Sequence, residues 1–253
     1  MKIKEELKRA ARIFQEEGPI ALTKKSFARI KTDAIIMAMM TFRAGSPDHY
    51  SSPGELVHFA YSGYWGAIRP GQVYSEISGL IKILMKDKPK YVLEIGTANG
   101  GTLFLFSKLA HENAVIISID LPGYGRFGSG YPLWKKQFYE GFASQKQKMH
   151  LLRADSHSEL TRNAVRSILR RRQLDFLFID GDHTYKGVRK DFEMYAPMVR
   201  RGGIIALHDI VAHPAYLDCG VDKFWEEIKS DYKHFEIIGD RSQKWAGIGV
   251  IRK

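Results

Sequence analysis

Five short apolar runs, each ending in or beside an acidic residue, recur through residues 91–209. They read Tyr91-Val-Leu-Glu-Ile-Gly96, Val115-Ile-Ile-Ser-Ile-Asp120, His150-Leu-Leu-Arg-Ala-Asp155, Leu174-Asp-Phe-Leu-Phe-Ile-Asp180 and Ile204-Ile-Ala-Leu-His-Asp209. Runs this short and continuous suit strands buried on both faces. Helical patterns lie around them, at about 72–86, 101–111, 132–145, 158–171, 185–200 and 219–230. Two more strand patterns, Phe235–Ile238 and Gly247–Ile251, follow. Such alternation predicts an α/β fold, a doubly wound parallel sheet with helices on both faces.

Before residue 70 the pattern changes. Residues 2–17 place Ile3, Leu7, Ala10, Ala11 and Phe14 at helical spacing, and Gly18-Pro19 stops them. Residues 22–43 carry a second stripe with Phe27, Ile30, Ala34, Ile35, Met37 and Met40. The segment Ala44–Pro70, rich in Gly, Ser, Pro, Tyr and His, is expected to be an irregular connection or lid. The expected division is therefore an N-terminal helical extension and lid over 1–70 and a ligand-binding domain over 71–253. Residues 1–44 hold ten Lys/Arg against five Asp/Glu. Basic amphipathic helices can lie on a membrane surface, but capping their own domain is the favoured reading. Their apolar stripes make a homo-oligomer an expectation.

Composition removes several classes. The 253 residues are 44% hydrophobic and 26% charged, which excludes wholesale disorder. The run Ala34–Met40 falls far short of the ~18 apolar residues of a membrane span. The first residues lack a signal-peptide core, so a cytoplasmic location is expected. A single cysteine, Cys219, excludes an intrachain disulfide and any multi-cysteine zinc or iron–sulfur site. The net charge of +11 attracts anions. The basic residues are dispersed, however, and the run Arg170–Arg172 lacks interleaved aromatics, so nucleic acid is a disfavoured partner.

In open α/β sheets, ligands bind beyond the carboxyl ends of the strands. Glu94, Asp120, Asp155, Asp180 and Asp209 would crowd that rim, where unpaired carboxylates repel, so a functional rim is expected. The first turn, Glu94-Ile-Gly-Thr-Ala-Asn-Gly-Gly101, offers glycines for close backbone approach. Asp120 lies 24 residues after Gly96, where a carboxylate accepts ribose hydroxyls. The G-x-G-x-x-G spacing is absent, which favours an adenosine without phosphates over a dinucleotide.

These motifs resemble class I S-adenosylmethionine-dependent methyltransferases, over roughly residues 60–253. EIGTANGG, the acidic end of ISID, the Asp-Ser pair of RADS, FIDGDHTY and the strand ending in HD carry the resemblance. They are most similar to the branch of macrocin-type sugar O-methyltransferases and cephalosporin hydroxylase-like proteins. The resemblance implies a Rossmann-like sheet of about seven strands, mostly parallel with an antiparallel last strand. It implies S-adenosylmethionine as cofactor. Glu94 would sit near the methionine amino group; Gly96, Thr97 and Gly100 would form the cofactor turn. Asp120 would bind the ribose, Asp155 and Ser156 would edge the adenine, and Asp180 would lie beside the sulfonium.

The resemblance also points to Asp180, His208 and Asp209 as ligands of Mg²⁺ or Mn²⁺. An imidazole among them suits Mn²⁺, Fe²⁺ or Zn²⁺ better than Mg²⁺. Without a metal, His183 or His208 would act as general base, since histidine titrates near neutral pH. The catalytic candidates are thus Asp180, His183, His208 and Asp209. The loop Leu121–Leu133, with Tyr124, Phe127 and Tyr131, is expected over the site, where Arg126, Lys135 and Lys136 could hold an anionic or glycosylated acceptor. Trp225 and Phe224 are expected in the core. The leading function is an O-methyltransferase acting on a small-molecule or sugar hydroxyl. The absence of [DN]-P-P-[YF] after the fourth strand argues against methylation of amino nitrogens. An RNA methyltransferase, a non-catalytic nucleoside-binding module and a nicotinamide-dependent oxidoreductase are the alternatives.

Overall fold

The apolar runs become strands because their side chains alternate into two separate cores. A computed structural model describes residues 30–38, 50–123 and 130–253. The strands are β1 (Tyr91–Ile95), β2 (Val115–Asp120), β3 (Lys148–Arg153), β4 (Leu174–Ile179), β5 (Val199–His208), β6 (Lys233–Ile237) and β7 (Ile248–Arg252). They form one sheet in the order β3-β2-β1-β4-β5-β7-β6. β1 pairs parallel with β2 and β4, while β7 runs antiparallel between β5 and β6. The expected sheet, with its antiparallel last strand, is therefore present.

The helices are α1 (30–38), α2 (Pro53–Ser62), α3 (Tyr74–Asp87), α4 (Gly101–Leu109), α5 (Lys135–Glu140), α6 (Glu159–Leu169), α7 (Tyr185–Tyr195) and α8 (Val221–Ile228). One core joins Ile36, Val57, Leu80 and Phe104 to Val92, Phe176 and Phe178 of the sheet. The other joins Val165, Val188, Phe224 and Trp225 to Leu93, Leu177 and Ile179. Phe176 and Leu177 thus face opposite layers, as period-2 alternation demands. Phe224 and Trp225 are core residues, as expected.

Two local expectations change. The segment Ala44–Pro70 was expected to be irregular, yet it contains α2. Ser52 caps that helix, its hydroxyl accepting from Glu55 N at 3.1 Å, and Pro53 follows at the first helical position. Ser and Pro there are helix-start residues, which a compositional reading mistakes for loop. The pattern over 132–145 yields a helix of only six residues, α5, followed at once by Gly141. The first helical pattern, 2–17, lies outside the described residues.

A buried carboxylate fixes the return between the last two strands. Glu76 of α3 is fully buried and accepts hydrogen bonds from Gly239 N (2.9 Å), Gly247 N (2.9 Å) and Gln243 Nε2 (2.6 Å). Among the described residues, no helix is long and apolar enough to cross a membrane.

Candidate active site

β1 lies between β2 and β4, so the crossovers leave its carboxyl end in opposite directions. That is the switch point at which open α/β sheets hold ligands. The turn after β1 is compressed against the turn after β4. Gly96 has φ +99°, and a Cβ on it would lie 2.0 Å from the Asp180 carbonyl oxygen. Gly100, at φ +83°, leads into α4 with the Tyr139 ring against it; a Cβ there would come within 2.7 Å of that ring. Only glycine fits either place.

Asp120 holds this turn from the neighbouring strand. Its Oδ2 accepts from Thr97 N (3.0 Å) and Ala98 N (2.8 Å), and its Oδ1 accepts from Leu121 N (2.7 Å). Burial raises its carboxyl above the usual range, against the lowering effect of those amides. Glu94 is fully buried behind the turn. Its Oε2 accepts from Ser118 Oγ at 2.6 Å, while Oε1 has no hydrogen-bond partner among the described residues. Burial pushes Glu94 up to about 8, against its hydroxyl partners. Thr97 Oγ1 lies 2.6 Å from Ser118 Oγ, so it belongs to the same buried network.

A cleft of about 430 Å³ opens at the switch point. Of the sequence candidates, Gly96, Asp120, Asp155, Ser156, Asp180 and His183 line it. Glu94, Thr97, Gly100, His208 and Asp209 stand outside its lining. Asp155 accepts from His157 N at 2.8 Å through Oδ1, and the Ser156 carbonyl accepts from Tyr195 Oη at 2.7 Å. Both bonds fix the backbone at the cleft wall.

Beneath the cleft, the ends of β4 and β5 join two carboxylates to three histidines. His208 Nδ1 lies 3.0 Å from Asp180 Oδ1 and 3.3 Å from Asp209 Oδ1. His183 Nδ1 lies 2.7 Å from Asp209 Oδ2, and His213 Nε2 lies 3.3 Å from Asp209 Oδ1. Burial disfavours the charged form of His208, but the Asp180 and Asp209 carboxylates outweigh it and push the imidazole up to about 10. His183 is raised on the same balance, with burial opposing and Asp209 and Asp180 prevailing. Asp209 is held well below the usual carboxylate range, because its three histidine partners overcome the cost of burial. The side chain of His183 is 46% exposed, so this imidazole faces the cleft while Asp209 stays behind it.

The metal candidates regroup. Ligand atoms of Asp180, His183 and Asp209 lie within 4.8 Å of one another. His208, expected in that set, instead spends Nδ1 on both carboxylates, and its Nε2 is buried without a partner among the described residues. Two carboxylates and one imidazole suit Mn²⁺, Fe²⁺ or Zn²⁺ better than Mg²⁺.

Sequence reading missed Gln72 and Tyr61. Gln72 Nε2 donates to Asp180 Oδ2 at 2.7 Å, and Tyr61 Oη donates to the Gln72 carbonyl at 2.6 Å. No local signal marks a contact 108 residues apart. Other expectations are corrected. Tyr131 was expected over a substrate, but it is 1% exposed and packs edge-on against Tyr139. Lys135 was expected to hold an anionic acceptor, but it is buried and paired with Asp33 at 2.6 Å. Lys136 remains at the surface, 3.6 Å from Glu140. Tyr124, Arg126 and Phe127 lie outside the described residues.

The sheet order, the glycine turn and the carboxylates at its switch point together define a class I methyltransferase fold. Residues 93–210 match the sequence family described as a methyltransferase domain. A stretch of 73 residues is 40% identical to an uncharacterised protein of Acanthamoeba polyphaga mimivirus, covering 26% of this chain and 32% of that protein. The chain therefore spans about a third of the viral protein's length. Two solved structures share the fold at 15% identity. The O-methyltransferase TomG of Streptomyces achromogenes, in complex with S-adenosylmethionine, aligns over 81% of this chain and 90% of its own, with a TM-score of 0.50. An O-methyltransferase of Bacillus cereus, in complex with S-adenosylhomocysteine, aligns over 87% and 97%, with a TM-score of 0.52. Residues 93–210 thus match a methyltransferase domain, set in a methyltransferase-type fold.

Proposed function

We propose that this protein transfers the methyl group of S-adenosylmethionine to a hydroxyl oxygen of a small molecule or sugar. The observation that carries this reading is the His183–Asp209 pair, 2.7 Å apart, at the wall of a cleft that Asp180 also lines. S-adenosylmethionine supplies a methyl group already activated by its sulfonium. The chain's task is to orient the donor and acceptor and to take the hydroxyl proton. Asp209 engages His183 Nδ1, which leaves Nε2 as the ring nitrogen for that proton.

The cofactor fits the residues at hand. Gly96, Thr97 and Gly100 shape the turn it would lie against, with Asp120 at the ribose and Asp155 and Ser156 along the adenine. Glu94 Oε1, buried and unpartnered, suits the positive methionine end, through the turn it supports. Asp180, steadied by Gln72 and His208, places negative charge beside the sulfonium. As the alternative to His183 as base, a bound Mn²⁺ or Mg²⁺ would engage Asp180, His183 and Asp209 and would lower the acceptor hydroxyl's proton affinity. Residues 1–70 are read as an extension and lid over a 71–253 cofactor domain; Tyr61 of that extension donates to the carbonyl of Gln72, whose side chain reaches Asp180. A cytoplasmic homo-oligomer is the accompanying expectation.

Calorimetric titration with S-adenosylmethionine and S-adenosylhomocysteine, with and without Mg²⁺ or Mn²⁺, comes first. Micromolar binding is expected. Absence of binding to folded protein would refute the reading. His183→Ala is then expected to slow methyl transfer to a hydroxylated acceptor by about 10²–10⁴-fold, while cofactor affinity stays within a factor of about three. Equal turnover in the variant would remove His183 as base.

A further inference from the structure

Asp209 offers its two oxygens to two different groups. Oδ2 faces His183 at 2.7 Å, whereas Oδ1 faces His213 at 3.3 Å. The chain's single cysteine returns to the same place. Ligand atoms of Asp209, His213 and Cys219 lie within 4.8 Å of one another. The Asp209 and His213 side chains are only 10% and 8% exposed. Backbone bonds hold the cysteine there: Gly220 N donates to the His183 carbonyl at 2.9 Å, and Gly220 packs against the Tyr185 backbone.

The tautomer of His213 points outward from these internal contacts. Its Nδ1 lies 2.8 Å from the Val211 carbonyl, which can only accept, so Nδ1 carries the proton. In the neutral ring, Nε2 is then a lone pair turned toward a carboxylate oxygen. Either a proton on Nε2 or a bound cation answers the Asp209 oxygen, and the nearby sulfur adds a third ligand atom that suits the cation. A histidine whose other ring nitrogen donates to a backbone carbonyl is the usual arrangement of a metal-bound imidazole.

We propose that Asp209 Oδ1, His213 Nε2 and Cys219 Sγ form a site for a thiophilic divalent cation of the zinc class. The ligand set is mixed S, N and O, which selects Zn²⁺ over Mg²⁺. Closing it on a tetrahedral ion with bonds of ~2.0–2.3 Å draws these ligand atoms inward from their present spacing. Binding forms a metal–sulfur bond and releases the thiol proton to solvent. Three protein ligands leave a fourth position for water. The site shares Asp209 with the Asp180, His183 and Asp209 group and adds His213 and Cys219 on the far side of that carboxylate. It does not rest on the methyl-transfer reading.

Cobalt is the probe. The full chain, reduced and freed of metal, is titrated with Co²⁺ and followed by absorption. The expected result is a near-ultraviolet thiolate-to-cobalt band that saturates at one equivalent. Zn²⁺ should abolish it stoichiometrically, and a large excess of Mg²⁺ should not. Cys219→Ser should remove the band, and His213→Ala or His213→Gln should weaken Co²⁺ by at least ~100-fold, the upper range for loss of an outer-shell partner. Asp180→Asn should leave the band in place. Circular dichroism checks that each variant is folded. No thiolate band in folded wild-type protein would overturn the proposal. So would a band whose affinity is unchanged in both His213 variants, which would mean a loose thiol contact.

Discussion

At the residue scale, Glu94 carries an unusual cost. It is sealed at the sheet's centre with one oxygen bonded and the other without a partner. Unfolded, its carboxyl releases a proton near the ordinary value; folded, it keeps that proton up to about 8. Between those limits the folded state binds more protons, so Glu94 makes stability fall as pH rises. The span corresponds to at most about 5 kcal/mol. Glu94→Gln should therefore flatten the decline of unfolding free energy between pH 5 and 8. It should also be the more stable protein at pH 8, as read from urea midpoints. A wild-type slope equal to the variant's would show that burial does not hold the proton. A cation beside Glu94 would reverse part of that cost, which links the pH response of the free protein to occupancy of the cleft.

At the scale of elements, Glu76 joins helix α3 to the return between β6 and β7. Replacing it by alanine strands the Gly239 and Gly247 amides. With each unpaired buried group costing about 1–3 kcal/mol, Glu76→Ala should destabilise the fold by about 3 kcal/mol. Hydrogen exchange at Gly247 should quicken in step. Retained protection there would mean that strand pairing alone sets the turn. The strands themselves were legible in the sequence. Phe176–Ile179 has no polar break because both its faces are buried, and Asp180 follows where the sheet ends. Helix ends were less legible, since Ser52 and Pro53 resemble loop residues unless read as a cap. The rim carboxylates were also visible, because the pattern places all of them at strand ends. Which groups answer them was hidden. Gln72 reaches Asp180 from distant sequence with Tyr61 behind it, and His213 and Cys219 meet only when the segment after β5 folds back.

At the scale of the molecule, the cleft and the sheet are one cooperative object. Gly96 touches Asp180 across the switch point, and the turn, the rim and both cores are built on the same central strands. A ligand that binds only the folded state at 100 times its dissociation constant adds about 2.7 kcal/mol. For a chain of this size, that is a rise of about 5–10 °C in Tm. S-adenosylhomocysteine should produce that rise, and Asp120→Ala should reduce it. An unchanged shift in the folded variant would place the ribose elsewhere.

The place of β7 has a consequence for synthesis. Among the described residues, β6 pairs only with β7, and β7 alone covers the outer edge of β5. From the end of β5 at His208 to the start of β7 at Ile248, about 40 residues must be made first. At roughly 5–20 residues per second, the ribosome leaves that edge unpaired for about 2–8 seconds. An unpaired strand edge invites pairing with other chains. Slowed translation within this window should therefore favour aggregation of the nascent protein, and faster translation should relieve it.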